Sequence, residues 1–111
     1  MIYKIFRRDE WEVLSSVGQT DGAPIDLADG FIHFSTAAQV RETAAKHFAD
    51  ADGLWLAAID DGALGDALRW ETSRGGQLFP HLYRALRLCE VISCVPLPLG
   101  PQGHLFPEDP A

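Results

Sequence analysis

Residues 31–48 read FIHFSTAAQVRETAAKHF, and the change of period inside them decides the fold. As far as Ser35, polar and apolar positions alternate. A strand built on that pattern puts His33 and Ser35 on one face, with Ile32 and Phe34 behind. From Ser35 or Thr36, either of which can cap a helix, the period lengthens. Ala37, Val40, Ala44 and Phe48 then share one stripe, while Arg41, Glu42 and Lys46 point away. The next segment, LWLAAID (54–60), is apolar almost throughout, as in a central strand covered on both faces.

Working outward, IYKIF (2–6) reads as a first strand. DEWEVLSSVG (9–18) reads as a short helix with Asp9 as its N-cap, Trp11 and Leu14 at helical spacing, and Gly18 as its stop. Residues 19–30, QTDGAPIDLADG, have no clear period and read as a loop over the face that carries His33. The DDGALGD turn leads into ALRWET, and SRGGQ (73–77) separates that strand from FPHLYR. LCEVISCV (88–95) supplies the last long strand. Five of the seven prolines fall in the final sixteen residues, so 99–111 is expected to be an irregular tail on a single domain spanning 1–98. Strands outnumber helices and the one long helix lies between two of them. The expected class is α+β, with a mixed sheet that is split or strongly bent.

At 111 residues and 47% apolar content, the chain suits one core. Nine basic against sixteen acidic residues give a net charge of −7, which repels phosphate backbones and argues against broad binding to nucleic acid or anionic membrane. No stretch approaches the roughly 20 apolar residues of a membrane span, and a soluble cytoplasmic chain is expected. On one strand Cys89 and Cys94 would lie about 16 Å apart on opposite faces, beyond the reach of a disulfide. They read as core thiols. No metal-ligand spacing is present, so no metal is expected.

The chemistry concentrates on three strand faces: His33 with Ser35, Arg69 with Glu71, and His81 with Tyr83. A merely solvated face would carry Lys, Glu and Thr instead. His33 and Ser35 stand where a strand meets a helix N-terminus, a position that suits an anion, although a structural histidine and an ordinary cap fit equally. Arg69 and Glu71 are either a cross-strand surface pair or an anion-binding group and a general base. Trp70 between them argues for a partly buried strand. Tyr83 can stack on a ligand ring with His81 donating a hydrogen bond, or be a core aromatic with a wet hydroxyl. Phe34, Trp70 and Leu82 are the expected core residues behind the polar faces. SRGGQ reads as a turn before a phosphate cradle. His47 and His104 read as structural or exposed.

The run DGFIHFSTAAQV, the helix ending HF, then LWLAAID and LRWETSRGGQLFPHLY together resemble the small bacterial family called domain of unknown function 952. That family is similar in fold to the ADP-ribosyltransferase superfamily, whose members hold NAD in a cleft between two small sheets. IHFS and LAAID look like the corresponding strands of RNA 2′-phosphotransferases, with Tyr3 and Lys4 where those enzymes often carry His or Arg. The resemblance implies a cleft for NAD, ADP-ribose or a related nucleotide. In it His33 and Ser35 would hold the ribose, Tyr83 would stack on the nicotinamide, Arg69 and His81 would bind the acceptor or diphosphate, and Glu71 would take the place of the catalytic glutamate. An ADP-ribosyl or phosphoryl transferase and a non-catalytic module binding a ligand or a protein partner both remain consistent with these residues.

Overall fold

The computed structural model describes Met1–Pro107, the side chain of Arg74 excepted. Strand β1 (Ile2–Phe6) is buried along its whole length, Lys4 included. The Arg7 N–H then donates to the Glu10 carboxylate at 2.9 Å and starts α1 (Arg8–Val17). Asp9 stands inside the first turn, so the cap lies two residues earlier than the sequence suggested. Gly18 ends the helix at φ 93°, a left-handed conformation that costs glycine little.

The stretch read as a loop is more ordered than expected. It holds β2 (Gln19–Thr20) and α2 (Pro24–Asp29). Pro24 suits the first helical position, and Asp26 two residues on accepts the Ala23 N–H at 2.7 Å. A helix of this length has no room to display a 3.6-residue period.

Next come β3 (Ile32–His33), β4 (Ser35–Thr36) and α3 (Ala37–His47). Thr36 is the residue that precedes α3, and its N–H donates to the Gln39 side chain at 3.0 Å. Val40 and Ala44 are buried, while Arg41, Glu42 and Lys46 are exposed, as the stripe required. The remaining strands are β5 (Leu54–Ile59), β6 (Leu68–Thr72), β7 (Leu78–Leu82), β8 (Leu86–Arg87), β9 (Val91–Leu97), β10 (Leu99–Gly100) and β11 (Gly103–His104).

The larger sheet has the order β4-β1-β5-β9 and the smaller one β3-β7-β6, with two-stranded ladders β2-β8 and β10-β11. Every pairing among these described strands is antiparallel, which corrects the expected mixed sheet. The crossover β4-α3-β5 joins strands of like direction, but β1 lies between them and keeps them from pairing. The class is α+β with three helices.

The larger sheet separates two apolar layers. Tyr3, Ile5, Leu54 and Leu56 meet Val40 and Ala44 of α3 on one side. Ile2, Phe6, Ala57 and Ile59 meet Leu14, Ile32, Phe34, Leu82 and Leu86 on the other. LWLAAID is therefore covered on both faces.

Trp70 overturns its expectation. Phe34 and Leu82 are buried at 3% and 0% exposure, but Trp70 is 43% exposed. It pairs with buried Pro80, yet β6 is the outer strand of its sheet, and no further strand among the described residues pairs with its free edge. Cys89 is also corrected: a 3-10 turn (Leu88–Glu90) precedes β9, leaving its thiol exposed and off the strand. Cys94 is half-buried on β9, where burial pushes its thiol up to about 12. Residues 99–107 of the expected tail include the β10-β11 hairpin, which His104 Nε2 ties to the Ala51 carbonyl at 2.7 Å. Residues 108–111 lie outside the described residues.

Candidate functional site

The segment 32–36 passes from one sheet to the other. Ile32 and His33 pair with β7, whereas Ser35 and Thr36 pair with β1. Phe34, buried between them, donates its N–H to the Pro80 carbonyl at 3.0 Å. Because β4 covers β1 only at Ile2 and Tyr3, the edge of β1 from Lys4 onward parts from the smaller sheet. A cavity of about 720 Å³ occupies the gap, closed by α2 on one flank and by the end of α3 on the other.

Its floor is an ion pair that the sequence reading did not identify. Asp26, 1% exposed, accepts four hydrogen bonds: from Lys4 Nζ at 2.9 Å, Ala23 N–H at 2.7 Å, His33 N–H at 3.1 Å and His33 Nδ1 at 2.6 Å. Lys4 also donates to the His33 carbonyl at 3.0 Å. Burial alone would raise the carboxyl, but the His33 hydrogen bond and the Lys4 ammonium outweigh it and hold Asp26 at about 2. The pair joins β1, α2 and β3 at one point. Nearer the mouth, His33 Nε2 lies 3.0 Å from Asp29 Oδ2. Both ring nitrogens of His33 thus face carboxylates.

The wall beyond is aromatic. His33 on β3, His81 on β7 and Arg69 on β6 are abreast in register, so their side chains share one face of the smaller sheet. The His33 and His81 ring centroids are 5.3 Å apart. Phe31 packs against both, at 4.6 Å from His33 and stacked at 4.1 Å on His81, and reaches Tyr83 at 5.2 Å. Glu71 Oε1 meets His81 Nδ1 at 2.8 Å and the Tyr83 hydroxyl at 2.6 Å. The Tyr83 hydrogen bond, then that of His81, holds the Glu71 carboxyl below its usual range, and the same Glu71 contact raises the Tyr83 phenol. The Arg69 guanidinium lies 4.8 Å from the Tyr83 ring centroid.

Three of the residues singled out from the sequence, His33, Ser35 and His81, line the main cavity. Arg69, Glu71 and Tyr83 sit alongside on the same sheet face, outside the cavity lining, and Glu71 reaches it through His81. Ser35 is 4% exposed with its hydroxyl 2.8 Å from that of Thr43, so its oxygen serves packing between β4 and α3. The SRGGQ segment closes the β6-β7 hairpin, where Ser73 N–H donates to the Gln77 carbonyl at 2.8 Å. His47, read as structural or exposed, is exposed and stands at the cavity mouth with Arg7.

Lys4, Asp26, Asp29 and Phe31 are site residues that sequence reasoning missed. Two of them had signals. Phe31 precedes His33 by two positions and so belongs to its face by the same alternation. Lys4 is the one charge in IYKIF, which as an inner strand has to bury it.

Together these features define a small α+β protein with a charged, aromatic-walled cleft between two antiparallel sheets. A family model described as "Protein of unknown function (DUF952)" matches residues 5–94, and the chain belongs to that family. The crystal structure of protein CC0527 from Caulobacter crescentus is 48% identical with a TM-score of 0.89, the match covering 93% of this chain and 90% of that one. The solution NMR structure of CC0527 is likewise 48% identical, with a TM-score of 0.83 over 93% of this chain and 89% of that one. No curated protein matches the chain. Among the described residues no helix is long and apolar enough to cross a membrane, and no group of three or more His, Cys, Asp or Glu side chains is placed to hold a metal ion.

Proposed function

We propose that the cleft binds a nucleotide of the NAD or ADP-ribose class. The observation that carries this reading is the meeting, at one cavity of about 720 Å³, of the His81 ring with a hydrogen-bonded His33–carboxylate pair. The volume falls within the range of small-molecule sites. His81, backed by Phe31 at 4.1 Å, offers its ring to a planar base at little conformational cost. Asp29 at the mouth, held by His33 Nε2 at 3.0 Å, suits the vicinal hydroxyls of a ribose, which would donate to its carboxylate. Arg7 and His47 at the mouth, beside the Asp9 and Glu10 carboxylates, are the groups that would donate hydrogen bonds to a diphosphate. A cleft between two small antiparallel sheets is also similar to the NAD-binding cleft of the ADP-ribosyltransferase superfamily, which the sequence resembles.

Calorimetry with NAD, ADP-ribose and AMP tests the proposal. Saturable binding is expected, weakened by about 1 to 3 kcal/mol in His33→Ala, since that change removes the ring that holds Asp29 at the mouth. No binding of any of the three at millimolar concentration would end the nucleotide reading and leave a protein-binding module as the better account.

A further inference from the structure

The two histidines of the cleft are held in different ways, and the difference assigns them different work. We infer that His81 is the proton acceptor of the site, and that Glu71 acts through it as a positioning residue without touching the ligand. This rests on the nucleotide reading above.

His33 has a carboxylate at each ring nitrogen, Asp26 at 2.6 Å and Asp29 at 3.0 Å. A neutral ring can donate to only one of them, whereas the doubly protonated ring donates to both. Either way, neither nitrogen offers a lone pair to a ligand while these contacts stand. His81 has one carboxylate. Its Nδ1 meets Glu71 Oε1 at 2.8 Å, and the Tyr83 hydroxyl donating to the same oxygen keeps that carboxylate ionised and acceptor-only. Nδ1 must therefore carry the proton, which leaves the lone pair on Nε2. The ring is 5% exposed, lines the cavity and is stacked on Phe31 at 4.1 Å, so its plane is fixed by packing. Glu71 is absent from the cavity wall, and its influence on a bound molecule runs through the imidazole. Carboxylate, imidazole and cavity form a relay in which the carboxylate sets the tautomer and stabilises the imidazolium once it forms.

With a NAD-type ligand the step balances without an oxidant. A water or acceptor hydroxyl gives its proton to His81 Nε2, and its oxygen forms a bond to the ribosyl C1′. The C1′–N bond breaks, its electron pair goes to the ring nitrogen, and nicotinamide leaves neutral. His81 then releases the proton to solvent.

Long-range ¹⁵N–¹H correlation spectra of the free protein read the tautomer without any ligand. A proton on Nδ1 of His81 with a bare Nε2 is expected, and a proton on Nε2 with bare Nδ1 would overturn the assignment. Nicotinamide release from NAD is then compared among wild type, His81→Gln and Glu71→Gln, with thermal melts to verify folding and calorimetry for affinity. Both variants are expected to lose roughly 100-fold or more in kcat; Glu71→Gln, outside the cavity, keeps its affinity for NAD within about threefold of wild type, whereas His81→Gln also loses the ring that stacks on the base. Glu71→Gln lies on an outer strand and tests the relay should His81→Gln fail to fold. Wild type that binds NAD but releases no nicotinamide, or a Glu71→Gln variant with unchanged kcat, would overturn the inference. A wild type that binds no nucleotide strikes the ligand reading instead, and the tautomer then decides the proton-acceptor assignment alone.

Discussion

Asp26 is the residue on which the cleft turns, because one buried carboxylate ties together three elements and sets the direction of the Lys4 ammonium and the His33 ring. Its carboxyl lies at about 2 in the folded protein against 3.8 for an ordinary aspartate. A depressed folded value stabilises the protein above the unfolded value and loses that contribution as pH falls through the folded one. The amount is roughly 2 kcal/mol, lost between about pH 4 and pH 2. Urea melts across that window should show the loss in wild type and a flatter dependence in Asp26→Asn. At neutral pH the same variant should cost about 3 to 5 kcal/mol, because Lys4 is left buried without its counter-charge, and adding Lys4→Met should recover part of it. Trp70 makes the contrasting case. Phe34→Ala and Leu82→Ala should each cost about 2 to 5 kcal/mol by leaving cavities, whereas Trp70→Ala should stay under about 1 kcal/mol in the same melts.

Among the elements, α2 is the one whose placement is most constrained. Gly22, just ahead of it, has φ 103°, and a Cβ built there would lie 2.6 Å from the Asp26 Cβ. Gly22→Ala should therefore shift α2 off the cavity, lowering the melting temperature and nucleotide affinity together. None of this was legible in QTDGAPIDLADG, since a helix of six residues shows no period and is specified by Pro24 and Asp26 alone. The two-residue alternation did place His33, Arg69, Glu71, His81 and Tyr83 on faces, because side-chain direction is a local property of a strand. It could not set His33 against His81, a register fixed by pairing across 48 positions of chain. Nor could it distinguish a covered face from a bare one, which is why Trp70 read as core: its sequence context matches that of a central strand, and only its position as the outer strand exposes it.

At the scale of the molecule, the two apolar layers on either side of the larger sheet carry the stability, and the cleft opens along a line where the sheets part, with Phe34 of one layer and Tyr3 and Ile5 of the other on its wall. The strand bordering that line is made before both of the partners it sits between: β4 ends at Thr36 and β5 at Ile59. Residues 2–6 must wait until residue 59 has been made before both of their edges are covered. Long-range pairing of this kind is slow compared with local contacts. Since β1 also brings Lys4 to Asp26, the event that completes the sheet is the one that neutralises the floor of the cleft. In refolding followed by pulsed hydrogen exchange, the β6-β7 hairpin should gain protection before the amides of residues 2–6. A protein arrested short of that last insertion would have most of its secondary structure in place and no working site.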